Sequence, residues 1–207
     1  MSNLHCIHLT SVEQLRAAAT SWDDLWWRSD LTLPTMRAEL LAQWLEQFKP
    51  RAHFHALVAA QQQRWIAVLP LVSCRVGKLI PAGGLPSNSW VPCGDLLLDG
   101  TAEAGTVLDL LLAATQELPW QLLWLNEAVS ETPRWQGLLR ACDRAAIPCC
   151  YHERFRVGRV EIDRNWDVYQ KRLPKNHRQG MARALRRLTY EGEVQFEMRS
   201  RLEANDV

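Results

Sequence analysis

The most distinctive chemical feature of this sequence is a basic segment near its C-terminal end. Between Lys171 and Arg187 it holds seven Lys or Arg and no Asp or Glu, although the net charge of all 207 residues is only +1. Guanidinium groups bind carboxylate and phosphate oxygens through paired hydrogen bonds, so the segment predicts an anion-binding surface. The candidate binding residues are Lys175, Arg178, Arg183, Arg186 and Arg187.

The same segment carries apolar residues at helical spacing. Met181, Leu185 and Leu188 stand at positions i, i+4 and i+7, so we expect this stripe to pack and the basic side chains to face outward. Three interpretations remain open: a solvated face, contact with RNA or DNA, or a cleft for an anionic small molecule such as a nucleotide or the diphosphate of coenzyme A. Nucleic acid is the least favoured, because such surfaces usually extend beyond one helix and the pI is only about 7.7.

The histidines and cysteines predict neither a metal site nor a disulfide framework. The six cysteines include no C-x-x-C pair. Four histidines in the first 55 residues lack the spacing of zinc-finger ligands: His5, His8, His53 and His55. A zinc site bound by these residues is the more specific alternative to free side chains, but we expect no metal. Because no export signal precedes them, we expect free thiols and a cytoplasmic protein. We also expect no membrane span, because charged residues and a proline interrupt the longest apolar run.

Two further motifs are compatible with chemistry but favour structural roles. Gly83 and Gly84 could cradle a phosphate, but such cradles lead directly into a helix N-terminus, whereas prolines and a strand follow here. We therefore expect residues 81–95 to form a structural loop. Cys149 and Cys150 lie in an apolar setting typical of a strand, where thiols are usually inert, so we expect no cysteine nucleophile.

Periodicity and turn residues predict the elements that would position these groups. We expect a helix from an N-cap at Ser11 to about Arg28, a helix capped by Thr35 that ends at Pro50, and a hairpin of residues 54–60 and 65–72. Helices at 103–118 and 134–145 then alternate with strands at 96–98, 120–125 and 149–159. Next come helices at 162–173 and 176–188 and a strand at 193–198. The pattern predicts an α/β unit over residues 1–160, with linker helices and an unpartnered strand over residues 161–207.

Several of these segments together resemble a known family. The run WDVYQKRLPKNHR at residues 166–178, continuing through ALRRL at 184–188 and EGEVQF at 191–196, resembles the central signature of FemAB-like and cellulose-biosynthesis (CelD/BcsL-type) acyltransferases of the GNAT superfamily. Motifs earlier in the chain also resemble this family: WDDL at 22–25, LPT at 33–35, AVLPL at 67–71 and WQLLWL at 120–125. The similarity covers nearly the whole chain and rests on the order of these motifs.

The resemblance implies a fold and an activity. The fold would be a GNAT-like mixed sheet flanked by helices over residues 1–160, followed by the opening of a second GNAT-like lobe over residues 161–207. The activity would be N-acyl transfer from acyl-CoA, such as acetyl-CoA, or a related thioester to a small-molecule amine. The catalytic residues would lie beyond Val207, so this chain would be the first lobe only, inactive without the missing C-terminal lobe.

The sequence departs from the family in its phosphate loop. The usual pattern is Arg or Gln, two residues, Gly, one residue, then Gly or Ala, and it is absent here. Gly180 followed by Ala182 comes nearest, but His177 occupies the Arg or Gln position and the neighbouring residues are typical of a helix interior. The alternative is therefore a non-catalytic GNAT-like interaction module, which binds a partner protein or a nucleotide-linked substrate through its Trp-rich front and its basic helix.

Overall fold

The computed structural model describes residues 4–31, 33–88, 92–154 and 165–193. The chain divides into two compact units, Met1–Arg154 and Phe155–Val207. Among the described residues, no helix combines the length and the apolar character that crossing a bilayer requires.

The first unit is built on a mixed β-sheet. Its strands are β1 (Leu4–Leu9), β2 (Phe54–Gln61), β3 (Arg64–Val76), β4 (Ile80–Gly84), β5 (Leu97–Leu98) and β6 (Leu123–Trp124). The order across the sheet is β1-β2-β3-β4-β6, and β5 pairs with β3. The pairs are antiparallel except for β4 and β6, which run parallel and are joined through a helix. The predicted α/β class, with a mixed sheet flanked by helices, is confirmed.

Helices cover both faces of this sheet. They are α1 (Val12–Ala17), α2 (Ala19–Arg28), a 3-10 turn (Pro34–Met36), α3 (Ala38–Phe48), α4 (Ala104–Thr115) and α5 (Pro133–Arg144). Alternate residues of β2 enter two separate cores, because successive strand side chains point to opposite faces. Ala56 and Val58 join the core that contains Trp22 of α2, whereas Leu57 joins the core that contains Leu108 of α4.

The first helices follow the predicted pattern with two differences. Ser11 caps α1 as predicted, and its Oγ accepts a hydrogen bond from the Gln14 N–H at 3.2 Å. The predicted helix breaks at Ala18 into α1 and α2. The prediction that Thr35 caps the next helix is wrong: α3 begins at Ala38, whose N–H donates to the Asp23 carboxylate at 2.9 Å. A side chain distant in the sequence therefore supplies the cap.

The predicted hairpin of β2 and β3 is confirmed and lies at the centre of the sheet. The two strands join through Gln62 and Gln63. Gln62 has φ of 57°, so a glutamine occupies the left-handed region that hairpin turns usually fill with Gly or Asn. The predicted strands around residues 97 and 123 and the helices α4 and α5 are also present, at slightly different bounds.

One loop prediction and one strand prediction need correction, and a further strand prediction lies mostly outside the described residues. Residues 81–84 form strand β4, not a loop, because Pro81 pairs with Arg75 on the neighbouring strand. No strand is present over residues 149–154, and residues 155–159 lie outside the described residues. The predicted strand at 193–198 lies outside them from residue 194 onward. Strand β1, which forms the sheet edge, is not predicted by the sequence pattern.

The second unit contains two described helices, α6 (Trp166–Arg172) and α7 (Lys175–Glu191). The side chain of Asn165 caps α6 by accepting from the backbone N–H groups of Asp167 and Val168. Pro174 separates the helices, as predicted, because proline offers no N–H and disfavours helical backbone in the residue before it. The predicted basic helix is therefore confirmed and is longer than expected.

Candidate functional site

The predicted anion-binding residues all lie on α7 and all are exposed: Lys175, Arg178, Arg183, Arg186 and Arg187. At about 100° of rotation per residue, they cover roughly half of the helix circumference. We call this surface the basic face. Arg187 also pairs with Glu191 one turn later, with Nε and Oε1 at 3.4 Å. Exposed guanidinium groups at this spacing can contact several oxygens of one phosphorylated ligand.

The apolar stripe of α7 lies on the side opposite to the basic face. Met181, Leu185 and Leu188 are 38%, 57% and 52% exposed. The prediction that this stripe packs is therefore wrong for the described residues. Gly180 lies inside α7, so the nearest approach to a phosphate-loop pattern is part of a helix and not a loop.

A second group of chemically active side chains lies on the sheet of the first unit. His8 on β1 and His55 on β2 face each other, and His8 Nε2 and His55 Nδ1 form a hydrogen bond of 2.7 Å. The Trp120 ring meets the His55 ring edge-on, with centroids 4.9 Å apart. Burial lowers the pKa of His55, and the neighbouring His8 and His53 lower this pKa further. At neutral pH, His55 is therefore held in the uncharged form.

The glycine pair on β4 has a packing role. A Cβ on Gly83 would overlap the Trp120 ring, and a Cβ on Gly84 would lie 3.0 Å from the Cys74 sulfur. These glycines allow β6 and the segment before it to approach β4 closely. The expectation that they do not cradle a phosphate agrees with this geometry, although they lie in a strand and not in the predicted loop.

Buried carboxylates connect the loop around β5 to the helices. The sequence pattern does not indicate these carboxylates. The Asp99 side chain is 1% exposed and pairs with Arg28 and with Arg64. Burial alone would raise the pKa of Asp99, but hydrogen bonds from Thr101 and the two arginines hold this pKa below its ordinary value. Because Asp99 is paired with both arginines, this cluster indicates a structural role.

A second charge network involves Arg134 on α5, which is buried, and Asp30, whose side chain is 56% exposed. Arg134 is 5% exposed, and its guanidinium donates to Asp30 at 2.8 Å and to Asp95 at 2.9 Å. Asp95 also accepts a hydrogen bond from the Trp135 indole N–H at 2.7 Å. Because every charge has a partner of opposite sign, this network indicates fixation of α5 and not an open binding site.

A shallow groove of about 540 Å³ runs along α3. Its lining combines aromatic and aliphatic side chains, amides, a carboxylate, a hydroxyl and a thiol: Thr35, Leu40, Gln43, Trp44, Glu46, Gln47, Phe48 and Cys93. Leu40 and Phe48, which both line the groove, are 44% and 57% exposed. These residues form an apolar patch on the Trp-rich front of the first unit, and such patches commonly mark contact surfaces.

Burial makes two of the thiols poor nucleophiles. Burial raises the pKa of Cys93 to about 11 and, together with Cys149, raises the pKa of Cys142 to about 12. Cys149 and Cys150 are exposed and not in a strand, which corrects the setting expected for them. No group of three or more His, Cys, Asp or Glu side chains among the described residues could hold a metal ion.

Comparison with known proteins gives structural neighbours only. No protein-family model matches the chain, and no curated protein matches it. The solved structures to which it is similar include an aminoglycoside acetyltransferase from an uncultured soil metagenomic sample, at 14% identity and a TM-score of 0.45 over 77% of this chain and 97% of that chain.

Two further neighbours have comparable scores. A ribosomal-protein-alanine N-acetyltransferase from Brucella melitensis has 16% identity and a TM-score of 0.42 over 77% of this chain and 100% of its own. An aminoglycoside N-acetyltransferase in complex with CoA has 10% identity and a TM-score of 0.43 over 78% of this chain and 97% of its own. At these scores the likeness carries no argument about the activity of this chain.

Proposed function

We propose that this chain belongs to a GNAT-type N-acyltransferase of the FemAB/CelD type and supplies its first lobe. A further lobe would complete the catalytic site and transfer an acyl group from acyl-CoA or a related thioester to an amine. The observation that carries the proposal is the basic face of α7, because it follows a mixed α/β unit and lies within the segment that resembles the family signature. The motifs of the first unit resemble the same family in the same order.

The basic face suits one part of an acyl-CoA donor. Coenzyme A carries phosphate groups, and each can accept paired hydrogen bonds from a guanidinium. The described residues of α7 between Lys175 and Thr189 include no Asp or Glu, so no carboxylate within that stretch repels an incoming phosphate. Gly83 and Gly84 do not fit this ligand, because Trp120 and Cys74 fill the space beside them.

Coenzyme A binding tests the basic face. We expect CoA to raise the Tm of the full chain, since a ligand at a hundred times its Kd stabilises the state that it binds by about 2.7 kcal/mol. Replacing Arg183 and Arg186 by glutamate should abolish the rise. Arg75→Glu is the matched control, because Arg75 is exposed on the first unit, away from α7 in the sequence. A Tm rise that both variants retain would reject the basic face as the CoA site.

The alternative is a non-catalytic GNAT-like interaction module, and the exposed patch of Leu40 and Phe48 along the α3 groove favours it. Such a module would bind a partner protein or a nucleotide-linked substrate. Reading the gene beyond codon 207 separates the two proposals. An open frame that encodes a further lobe supports the enzyme, whereas a stop codon at that point supports the module.

A further inference from the structure

The hydrogen bond between His8 and His55 connects an edge strand to its neighbour. β1 lies at the edge of the sheet and pairs with β2 from Leu4 to Leu9. The two imidazole rings lie 4.8 Å apart between centroids, and the 2.7 Å bond joins residues that are 47 positions apart in the sequence. We propose that this histidine pair is a pH-sensitive latch, which holds β1 on the sheet at neutral pH and loosens it in mild acid.

The chemistry of two imidazoles sets the response. A hydrogen bond between ring nitrogens needs one nitrogen that donates and one that accepts. The pair can therefore carry no extra proton or one extra proton and keep its bond. When both rings are protonated, both facing nitrogens are donors and two positive charges oppose each other. The second proton is therefore excluded as long as β1 stays paired.

The surroundings of His55 strengthen this exclusion. Burial is the main cause that lowers the pKa of His55, and the titratable groups that lower it further are His8 on β1 and His53, which precedes β2. The contact from the segment before β6 is the uncharged Trp120, and β3 offers Ser73, whose hydroxyl accepts from the His53 N–H at 3.0 Å. Glu117 acts on Cys6, which lies on the same face of β1 as His8. Among the described residues, no carboxylate contributes to the pKa of His55.

The direction of the effect follows from the lowered pKa. In the unfolded chain, His55 takes up a proton around its ordinary pKa of about 6.5, whereas the paired state resists protonation until a lower pH. Detachment of β1 removes the part of this lowering that His8 causes. The latch is therefore fully effective above about pH 6.5 and weakens as the pH falls below that value. At pH 5.5, one excluded proton favours the detached state by about tenfold at most, since one pKa unit corresponds to a tenfold ratio.

Detachment of β1 would affect both cores. Leu9 is buried in the core on one face, while Leu4 and Cys6 pack against the core on the other. The chain continues directly into the Ser11 cap of α1. Loosening the edge strand would therefore expose apolar side chains and an unpaired edge of β2, which is a surface that can add another strand.

Amide hydrogen exchange of the full chain tests the latch. Protection factors of the β1 amides, measured relative to those of β3, should fall between pH 7.5 and pH 5.5, by about tenfold at most. His8→Gln should reduce this pH dependence, because it removes the His8 contribution and leaves burial and His53, whereas His152→Gln, an exposed histidine of the same unit, should keep it in full. Relative protection that is independent of pH in the unmodified protein, or an undiminished pH dependence in His8→Gln, would overturn the proposal.

A second measurement needs no variant and covers the case in which His8→Gln fails to fold. Nitrogen chemical shifts of the imidazole rings report protonation and tautomer directly. The latch predicts that the His55 ring takes up its proton below pH 6.5. Protonation of His55 at or above pH 6.5 would show that the bond does not control protonation.

Discussion

Replacing Asp99 by alanine should strongly destabilise the first unit. The Asp99 carboxylate accepts hydrogen bonds from Arg28, from Arg64 at 2.8 Å, and from the N–H and hydroxyl of Thr101 at 3.0 and 2.7 Å. Loss of one partner from a buried ion pair costs about 3–5 kcal/mol. Because the side chains of Arg28 and Arg64 are 21% and 54% exposed, water can solvate both charges in the variant. We therefore expect the lower end of the range, about 3 kcal/mol.

Urea denaturation of the full chain measures this loss as a change in the free energy of unfolding. Thermal unfolding should show a fall in Tm of about 6–12 °C, at about 2–4 °C per kcal/mol for a unit of this size. Asp109→Ala is the matched control, because Asp109 pairs with Arg144 at 2.6 Å while the two side chains are 49% and 51% exposed. That variant should lose less than about 1 kcal/mol. Equal losses in the two variants would refute the reasoning that burial, and not ion-pair distance, determines the energy.

Two further predictions concern close packing and the thiols. Gly83→Ala should cost about 1–3 kcal/mol in the free energy of unfolding, because the added methyl overlaps the Trp120 ring and must displace it. An unchanged urea midpoint and an unchanged tryptophan emission would contradict this contact. Cys149 and Cys150, which are exposed, should react rapidly with a thiol reagent at pH 8. Cys93, which is 3% exposed and has a pKa raised to about 11, should react only after denaturation. Fast labelling of Cys93 in the native protein would show that Cys93 is not buried.

The helices and the central hairpin could be predicted because their signals are local. The α3 helix shows a stripe of apolar residues at helical spacing that ends before Pro50, and its buried members include Leu41, Trp44 and Leu45. The hairpin has two apolar runs of strand length around a short polar turn. The basic face of α7 is also local, because a helix alone brings its arginines together.

The missed strands depend on partners that are distant in the sequence. β1 carries the run LHCIHL, in which no clear alternation is visible, and it becomes a strand because it pairs with β2 about 50 residues later. β4 contains a proline and two glycines, which usually indicate a loop. Its glycines are required by the Trp120 ring, and that contact cannot be derived from the neighbouring residues.

The contacts among titratable side chains of the first unit could not be predicted for the same reason. The pairing of His8 with His55 depends on the register between two strands, and the burial of Asp99 depends on two arginines from different elements. A single sequence shows these residues but not which of them meet. The packing of the α7 stripe was expected from the rule that apolar stripes become buried, and that rule failed for the described residues.

Acetyl transfer by a protein that extends past Val207 is the most direct test of the proposed function. Release of free CoA from acetyl-CoA should be followed with a panel of small-molecule amines, in the extended protein and in its variant with Arg183 and Arg186 replaced by glutamate. We predict amine-dependent turnover in the extended protein and a large rise in the KM for acetyl-CoA in the variant. Absence of turnover with every amine, together with no change in Tm on addition of acetyl-CoA, would contradict the proposed function.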